Sequence, residues 1–383
     1  MKCLRCGNED PAYFYKGSKG WYCRRCVRFS RVLLEEEPEN FDYGLNSEAN
    51  EYGFAYELTA FQQEASHKCL EGLKHSDILL QAICGAGKTE IVVESIADQL
   101  GKNKKVAYAI ARKEVVIELS HRFARIFPKA VVTAVYGGHH EVLYGDLIVC
   151  TCHQLYRYYQ TFDLLIIDEA DAYPLKGNQT LMNIALNACK GRIIFSTATV
   201  DDNLSKVLKQ RPCQRIELNV RPSGVPLSIP KILYLPKVLS FIALYRIMSH
   251  TARQGIIFTA SKKECFRLYR FFRRFFDCTY VYADLESRKE NIAAFRCGSK
   301  RFIFATTVLE RGITIPDLEM VTIIDRNDLF DEANLVQMLG RVGRGLSREA
   351  GKTFIIADRN RKQIRQTLAY LQKANSAYAM PVL

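Results

Sequence analysis

Residues 82–89 read AICGAGKT and have the composition of a phosphate-binding loop. They match the pattern G-x-x-x-x-G-K-T except that Ala82 stands in the first glycine position. Lys88 would bring a positive charge to the phosphates, and the hydroxyl of Thr89 would bind Mg²⁺. The backbone amides that would surround the phosphate belong to Gly85, Ala86 and Gly87. The spacing therefore predicts a nucleotide site.

An acidic pair, Asp168 and Glu169, follows about eighty residues later. It ends the apolar run Leu164 to Ile167, which is typical of a buried parallel strand that delivers its last residues to the edge of a sheet. Asp168 would hold Mg²⁺, and Glu169 would orient and deprotonate the attacking water. Together with the phosphate loop, the pair predicts a nucleotide hydrolase.

Four cysteines near the start form two Cys-x-x-Cys pairs with 16 residues between the pairs: Cys3, Cys6, Cys23 and Cys26. This spacing is typical of a tetrahedral zinc site with four thiolate ligands. The residues between the pairs read as a β-hairpin with aromatic side chains, which predicts a zinc ribbon. Because lysines and arginines surround it, the ribbon suits either a single nucleic acid strand or a docking protein. Both uses stay open at this point.

The elements that would position these side chains alternate between short apolar strands and helices. Residues 77–82 predict a strand and residues 91–100 an amphipathic helix, so the phosphate loop joins a strand to a helix. A second series of strands and helices follows a proline-rich segment, and we therefore expect an α/β fold with two parallel-sheet lobes in tandem, preceded by a small zinc ribbon. The predicted boundaries are 1–34 for the zinc ribbon, 35–50 for a linker, 51–219 for the first lobe, 220–230 for an interlobe linker and 231–383 for the second lobe.

The composition of the 383 residues limits the class of protein. Lys and Arg total 54 against 41 Asp and Glu, and the resulting net charge of +13 favours a polyanionic partner. The 13 cysteines are an odd number spread through the chain, as expected in a reducing compartment. The sequence contains no run of about 18 apolar residues and no apolar signal-peptide core at its start. We therefore expect a cytoplasmic protein.

The phosphate loop with its leading alanine, followed by Asp168-Glu169-Ala170-Asp171, resembles the superfamily 2 helicases and translocases. The resemblance implies two RecA-like lobes, with ATP and Mg²⁺ as cofactors. It also implies that Gln62 pairs with the adenine edge and that Tyr56 stacks on the adenine face. The residues that would couple hydrolysis to movement are Thr197, Ala198 and Thr199.

Further motifs of the same families appear in the C-terminal half. Residues 337–344 are similar to Q-x-x-G-R-x-G-R, in which Arg341 and Arg344 would reach the γ-phosphate from the second lobe. Gln337 and Gly312 would contact the nucleotide. The resemblance implies DNA contacts at Arg112, Gly138, Thr151, Ser261 and Thr306.

The cysteine module before a two-lobe motor, the stretch Thr151 to Leu155 and the glutamine that leads the last motif resemble the ComFA family of late-competence ATPases. The family commonly has valine where this chain has Ala170. The resemblance covers nearly the whole chain and implies an ATP-dependent translocase that draws single-stranded DNA into the cytosol in natural transformation. It also implies a ComFC-like phosphoribosyltransferase partner docked at the ribbon, and a place at the inner face of the membrane beside a DNA-uptake channel.

Three other functions stay open. An RNA-remodelling DEAD-box ATPase shares residues 168–171, but such enzymes typically have His-Arg-x-Gly-Arg where Gln337 leads here. A PriA- or RecG-like repair or restart helicase is a DNA motor as well, although the PriA type carries its zinc cysteines in the second lobe. An ATP-gated scaffold would recruit a partner without moving. Because the lobes and the ribbon leave no large insertion for a strand-separating wedge, we expect ATPase activity stimulated by single-stranded DNA, with weak unwinding.

Overall fold

The structure is a computed structural model and describes residues 1–38, 43–46, 48–309, 315, 318–326, 329–343 and 351–376. Two predicted site residues, Gly312 and Arg344, lie outside these ranges. The chain divides into two compact units. The first comprises Met1–Ala82 and Gly87–Leu218, and the second comprises Ile83–Ala86 and Asn219–Leu383.

The N-terminal cysteines flank an antiparallel hairpin, as the sequence predicts. Strand β1 spans Phe14–Gly17 and strand β2 spans Gly20–Cys23, with Phe14 opposite Cys23. A 3-10 helix at Pro11–Tyr13 leads into β1. The tight turn between the strands folds the second cysteine pair back to the first, and all four sulfur atoms lie within 4.8 Å of one another.

The first unit also contains a seven-stranded sheet in which neighbouring strands are parallel. Its strands are β3 Asp77–Ala82, β4 Val106–Ile110, β5 Val132–Val135, β6 Leu147–Thr151, β7 Phe162–Asp168, β8 Cys189–Thr197 and β9 Cys213–Leu218. Their order across the sheet is β5-β6-β4-β7-β8-β3-β9. Strands β4 and β6 are buried at every residue, because helices cover both faces of such a sheet.

Six α-helices connect these strands: α1 Ala60–Gly72, α2 Lys88–Ile91, α3 Val93–Gly101, α4 Lys113–Ile126, α5 Gln179–Ala188 and α6 Asp202–Gln210. A 3-10 helix at Cys152–Arg157 follows β6. Side-chain caps fix where several of the α-helices begin. The side chain of Thr59 accepts a hydrogen bond from the amide of Gln62 at the start of α1, and Asp201 accepts one from Leu204 at the start of α6.

The second unit contains a six-stranded parallel sheet with the order β10-β15-β14-β11-β13-β12. Its strands are β10 Lys231–Tyr234, β11 Gly255–Thr259, β12 Cys278–Val281, β13 Phe302–Ala305, β14 Met320–Asp325 and β15 Lys352–Ala357. Its helices are α7 Lys237–Ser249, α8 Lys262–Phe272, the 3-10 helix Thr307–Leu309, α9 Arg288–Arg296, α10 Glu332–Leu339 and α11 Lys362–Ser376. Across the described part of the chain, no helix combines the length and apolar character needed to cross a bilayer.

The parallel topology gathers the predicted site residues at the carboxyl ends of strands. Those of the first unit follow or end β3, β4, β6, β7 and β8: Lys88, Arg112, Thr151, Asp168 and Thr197. In the second unit, Ser261 follows β11 and Thr306 follows β13. Since neighbouring parallel strands end at the same edge, each sheet presents its own residues along one edge, where α/β proteins bind their ligands.

Polar contacts join the ribbon to helix α5 within the first unit. The amide of Asn187 donates hydrogen bonds to the carbonyls of Leu4 at 2.9 Å and Arg5 at 3.1 Å. The amide of Asn183, one turn earlier, donates to the carbonyl of Cys6 at 2.9 Å. Two helix side chains therefore satisfy backbone acceptors of the first cysteine loop.

Apolar contacts reinforce this junction. The four cysteines and Phe14 belong to one buried core cluster together with Leu181 and Ala185 of α5. The ring of Phe29 lies 5.6 Å from that of Tyr156, in the 3-10 helix after β6, measured between centroids. The ribbon therefore shares a core with the first sheet and its helices, and the whole forms one compact unit.

Candidate functional site

The phosphate loop has the backbone that its glycines predict. Gly85 and Gly87 adopt φ values of +84° and +82°, a left-handed conformation that glycine enters without steric cost. Gly87 directly precedes α2, and the amide of Ala86 donates to the carbonyl of Ile83 within the loop. A Cβ at Gly87 would require the end of the Gln62 side chain to move, in addition to the steric cost of the positive φ.

The alanine at the start of the loop does not need the positive φ that favours glycine at positions 85 and 87. Ala82 is the last residue of β3, is almost fully buried, and is not among the described residues with positive φ. Its carbonyl accepts a hydrogen bond from Nζ of Lys88 at 3.3 Å, and Thr89 lies in the first turn of α2. A residue in ordinary strand conformation tolerates a methyl group, which accounts for alanine in place of glycine.

The two residues predicted to read adenine lie beside this loop. The side chain of Gln62 is buried, and its Oε1 accepts hydrogen bonds from the amide (3.1 Å) and hydroxyl (3.2 Å) of Thr59. Tyr56 is about half exposed, and its hydroxyl donates to Oε1 of Glu90 at 2.6 Å. Glu90 also forms an ion pair with Arg122, which fixes Tyr56 against the helix that follows the loop.

Asp168 ends β7 next to Ser196 on β8, its register partner. The hydroxyl of Ser196 donates to Oδ1 of Asp168 at 2.9 Å, and the amide of Glu169 donates to the same oxygen at 3.0 Å. Burial and then the charge of Glu169 raise the pKa of Asp168, while the charge of Lys88 opposes the rise. Glu169 has φ +55°, an uncommon conformation for a residue with a side chain.

The chemistry of this edge fits a magnesium-bound triphosphate. The hydrogen bonds from Ser196 and from the amide of Glu169 both end on Oδ1 of Asp168. The buried hydroxyl of Tyr108, on the neighbouring strand β4, acts on the same carboxylate and favours its charged form, because it lowers the pKa of Asp168. Oxygen ligands of this kind are those Mg²⁺ prefers, and Asp168 and Thr89 are the residues that would hold it.

The coupling residues are tied to the acidic motif by hydroxyl groups. The hydroxyl of Thr199 donates to Oδ2 of Asp171 at 2.5 Å, and that of Thr197 donates to the carbonyl of Thr199 at 2.5 Å. Thr197 and Ala198 are buried at the end of β8. Residues 197–199, which the sequence predicts to couple hydrolysis to movement, are therefore in direct hydrogen-bond contact with the acidic motif.

In the second unit, the predicted nucleotide residues lie on and after α10. Gln337 is buried, and its Oε1 accepts a hydrogen bond from the thiol of Cys84 at 3.0 Å; both residues belong to this unit. Arg341 is buried two residues past the end of α10, and its amide donates to the carbonyl of Met338. Arg221 was not singled out from the sequence. Its guanidinium donates to the carbonyls of Cys84, Gly340 and Val342 at 2.9–3.2 Å.

The residues predicted to contact DNA occupy loop and cap positions. Arg112 is the first residue before α4, and Gly138 has φ +80° in an open turn. Thr151 is buried at the end of β6. The hydroxyl of Ser261 caps α8 and faces a basic pocket of about 450 Å³, and the amide of Thr306 donates to the carbonyl of Val281.

The cysteine cluster has the geometry of a tetrahedral metal centre. The Sγ atoms of Cys3 and Cys26 lie 3.7 Å apart, as do those of Cys6 and Cys23, and all four side chains are buried. Four sulfurs at about 2.3 Å from a zinc ion would be separated by about 3.8 Å. These distances far exceed a disulfide bond and suit zinc.

Arg5 supports this cluster from within the first cysteine loop. Its guanidinium is buried and donates to Sγ of Cys26 at 3.3 Å and to the carbonyl of Cys26 at 2.7 Å. Mutual hydrogen bonding lowers the pKa of the Cys3 thiol and raises the pKa of Cys6 and Cys26, whereas the charge of Arg5 acts to lower the pKa of Cys26 and so favours the thiolate that a metal binds. Sequence reasoning counted Arg5 only as surface charge, although its place between two cysteines was a signal.

Comparisons with known proteins agree with this geometry. The DEAD/DEAH box helicase family matches residues 59–207, and the helicase conserved C-terminal domain matches residues 235–345. The structure of S. cerevisiae Dbp5 bound to RNA and ADP BeF3 superposes with a TM-score of 0.65 at 20% identity, covering 82% of this chain and 87% of that one. The two parallel sheets are therefore RecA-like lobes, as predicted, and the chain is an ATPase of the helicase class.

Two relatives narrow the class. Competence protein ComFA of Streptococcus pneumoniae is 30% identical over 97% of this chain and 90% of its own length. Competence protein ComFA of Bacillus subtilis is 30% identical over 90% of this chain and 79% of its own length. The chain belongs to the ComFA family, which confirms the resemblance seen in the sequence.

Proposed function

We propose that the protein is an ATP-driven translocase on single-stranded DNA that works in the uptake of DNA during natural transformation. The observation that carries the proposal is the set of nucleotide residues at one sheet edge, Lys88, Asp168 and Thr197, in a chain of the ComFA family. The net charge of +13 supports a polyanionic track. The absence of a strand-separating insertion favours movement over unwinding.

In the proposed mechanism the phosphate loop binds the triphosphate, with Lys88 against its charged oxygens. Bound Mg²⁺ would neutralise part of the phosphate charge, with Thr89 and Asp168 as its protein ligands. Glu169 orients the attacking water and takes up its proton. The residues that complete the charge stabilisation are the arginines of the second lobe, Arg341 and Arg344. Because these groups come from different lobes, hydrolysis requires closure and thereby drives movement along the strand.

The remaining assignments follow the same proposal. The four cysteines hold zinc as a structural ion. Strand contacts come from Arg112, Gly138, Thr151, Ser261 and Thr306, and Gly312 and Gln337 contact the nucleotide. A ComFC-like phosphoribosyltransferase is the proposed protein partner, and the protein works in the cytoplasm at the inner face of the membrane.

The test is an ATPase titration with single-stranded DNA, double-stranded DNA and RNA at one stated ionic strength, because salt alone shifts such affinities by orders of magnitude. We expect the strongest stimulation by single-stranded DNA, and Lys88→Ala should abolish both the activity and the displacement of streptavidin from a biotinylated strand. Stimulation by RNA alone would favour an RNA-remodelling enzyme. ATP hydrolysis without displacement would favour the scaffold.

A further inference from the structure

A cleft of about 730 Å³ lies between the ribbon and the chain that follows β6. Its walls carry Lys19, Arg31, Arg157 and Tyr159, and its rim carries Glu36 and Glu37. All of these residues belong to the first unit, and the hydrogen bonds from Asn183 and Asn187 fix the ribbon wall against the other. The volume falls within the range of about 300–1,000 Å³ typical of ligand-binding clefts.

The cations of this cleft are available to an anionic ligand. Lys19 and Arg31 are exposed, and neither forms an ion pair with any residue that the structure describes. Arg157 is positioned in advance, because Oε1 of Gln154 accepts its Nε–H at 2.7 Å and its guanidinium lies 4.8 Å from the ring centre of Tyr156. Positioned arginines and free lysines are the groups that bind phosphates.

An aromatic side chain stands beside these charges. Tyr159 is half-buried, its ring packs against no other aromatic ring in the described ranges, and its hydroxyl forms no hydrogen bond there. By contrast, Tyr156 is already engaged with Phe29 and Arg157. Proteins that bind single-stranded nucleic acids combine cations with an exposed aromatic face, because every base can stack on such a face.

The cleft continues a stretch of chain already proposed to meet DNA. Thr151 ends β6, and the six-residue 3-10 helix Cys152–Arg157 leads directly from it to the cleft. At a rise of about 2.0 Å per residue this helix is about 12 Å long, the length of a few nucleotides. The cleft therefore lies one short helix away from a residue that is already predicted to contact DNA.

Two acidic side chains oppose this attraction. Glu36 and Glu37 line the same cleft, are exposed, and pair with no described cation. Lys19, Arg31 and Arg157 still outnumber these two carboxylates, so the lining keeps a net positive charge without Arg5, whose guanidinium is bound to Cys26. The carboxylates would weaken phosphate binding by repulsion at short range and set its strength.

We propose that this cleft is a second binding site for single-stranded DNA, in which Lys19, Arg31 and Arg157 bind phosphates and Tyr159 stacks on a base. Glu36 and Glu37 compete with the strand. The inference rests on the proposed function, and it gives the ribbon a direct part in holding the track. It also explains why the ribbon is fixed rigidly to the first lobe.

The experiment measures binding of a labelled oligothymidylate, and of the same backbone without bases, to the full-length zinc-loaded protein by fluorescence anisotropy. Lys19→Glu/Arg31→Glu should weaken both strands about tenfold or more and flatten the salt dependence, by about 0.7 in log–log slope for each lost phosphate contact. Tyr159→Ala should weaken the oligothymidylate about fivefold or more and leave the abasic strand unchanged. Glu36→Gln/Glu37→Gln should tighten both.

Lys16→Glu is the matched control, because Lys16 is an exposed cation on β1 that does not line the cleft. Zinc content and melting temperature confirm that each variant is folded, and basal ATPase should not change. If Lys19→Glu/Arg31→Glu alters the affinity for the strands no more than Lys16→Glu does, the inference is wrong. Such a result would be expected if the cleft binds an acidic protein segment instead of DNA. If even the unaltered protein shows no stimulation by single-stranded DNA, the proposed function fails instead.

Discussion

One buried hydroxyl fixes the carboxylate that would bind Mg²⁺. Ser196 donates to Oδ1 of Asp168 at 2.9 Å from the neighbouring strand β8. Removing a group that orients a metal ligand in this way typically lowers metal affinity or activity 10–100-fold. We expect Ser196→Ala to need about 10-fold more Mg²⁺ for half-maximal ATPase activity, measured by titrating Mg²⁺ at saturating ATP.

Ser95→Ala is the control for this prediction. Ser95 is a buried serine of the same unit whose hydroxyl has no hydrogen-bond partner among the described residues. Its removal should leave the Mg²⁺ requirement unchanged. An unchanged requirement in Ser196→Ala as well would show that the hydroxyl does not orient Asp168.

Among individual residues, the sequence predicted those nucleotide-site residues that a local motif identifies. Lys88 and Thr89 follow the glycines of one loop, and Asp168 and Glu169 end one apolar run, so each group was visible as a pattern. Ser196 directly precedes the predicted coupling residues, and no role was assigned to it from the sequence. Its contact with Asp168 depends on the register of β7 against β8, which no spacing along the chain reveals.

Helix α5 carries the ribbon through two amides one turn apart. Asn187 donates to the carbonyls of Leu4 and Arg5, and neither carbonyl accepts a hydrogen bond from another residue that the structure describes. Leaving buried acceptors unsatisfied costs about 1–3 kcal/mol. Asn187→Ala should therefore lower the melting temperature and increase amide hydrogen exchange in residues 1–34.

Gln179→Ala separates this effect from a general weakening of α5. Gln179 is exposed at the start of the same helix, and its amide donates only to Asn183. We expect a smaller change in exchange from this variant, because it removes no hydrogen bond to the ribbon itself and affects only the orientation of Asn183. Equal exchange in the two variants would mean that the amide of Asn187 does not hold the ribbon.

The 3-10 helix after β6 makes the junction sensitive to pH. Burial and then the charge of Arg28 lower the pKa of His153, whose ring lies 6.3 Å from that of Phe29 between centroids. Near and below the ordinary histidine pKa, His153 therefore binds a proton more readily in the unfolded chain than in the folded protein. This stability is fully present above the ordinary histidine pKa of about 6.5 and is lost as pH falls below it.

We expect the melting temperature of the protein to fall between about pH 6.5 and pH 5 by more than that of His153→Gln, which lacks the titrating ring. Thermal denaturation of both proteins across this range measures the difference. Parallel curves would exclude His153 as the source.

Fully buried strands were the elements that the sequence predicted most directly. The apolar runs of β4, β6 and β7 identify them, because helices cover both of their faces. The edge strands β9 and β10 were not predicted. Their alternate side chains are exposed or half-exposed, and without the neighbouring strand their sequences resemble connecting segments.

For the whole molecule, the sequence predicted two parallel-sheet lobes and a cysteine module, and the structure adds how the module is attached. The contacts between the ribbon and α5 join residues 177–183 positions apart. Asparagines on a helix have no pattern that marks a partner so distant in sequence. Glu36 and Glu37 belong to the predicted linker 35–50 and line the cleft beside the ribbon. This contact also depends on residues distant in sequence, so no local pattern could predict it.

Zinc removal tests whether the ribbon and the first lobe form one cooperative unit. The four cysteines share a core cluster with Leu181 and Ala185, so freeing them exposes apolar surface on α5 as well as on the hairpin. Because metal binding to such a site contributes directly to folding free energy, its loss should spread beyond the ribbon. We expect a chelator to raise amide hydrogen exchange in α5 and in residues 152–157 together with residues 1–34.

Strand β12 and helix α9 of the second unit are the internal control, since no described contact joins them to the cysteines. Their exchange should stay unchanged in the same sample, and added zinc should restore protection in the first unit. Because α5 lies in the chain between the acidic motif that ends β7 and the predicted coupling residues that end β8, we also expect basal ATPase activity, assayed with Mg²⁺ restored in excess, to fall after zinc is removed. An increase in exchange confined to residues 1–34, with unchanged ATPase activity, would instead establish the ribbon as an independent module.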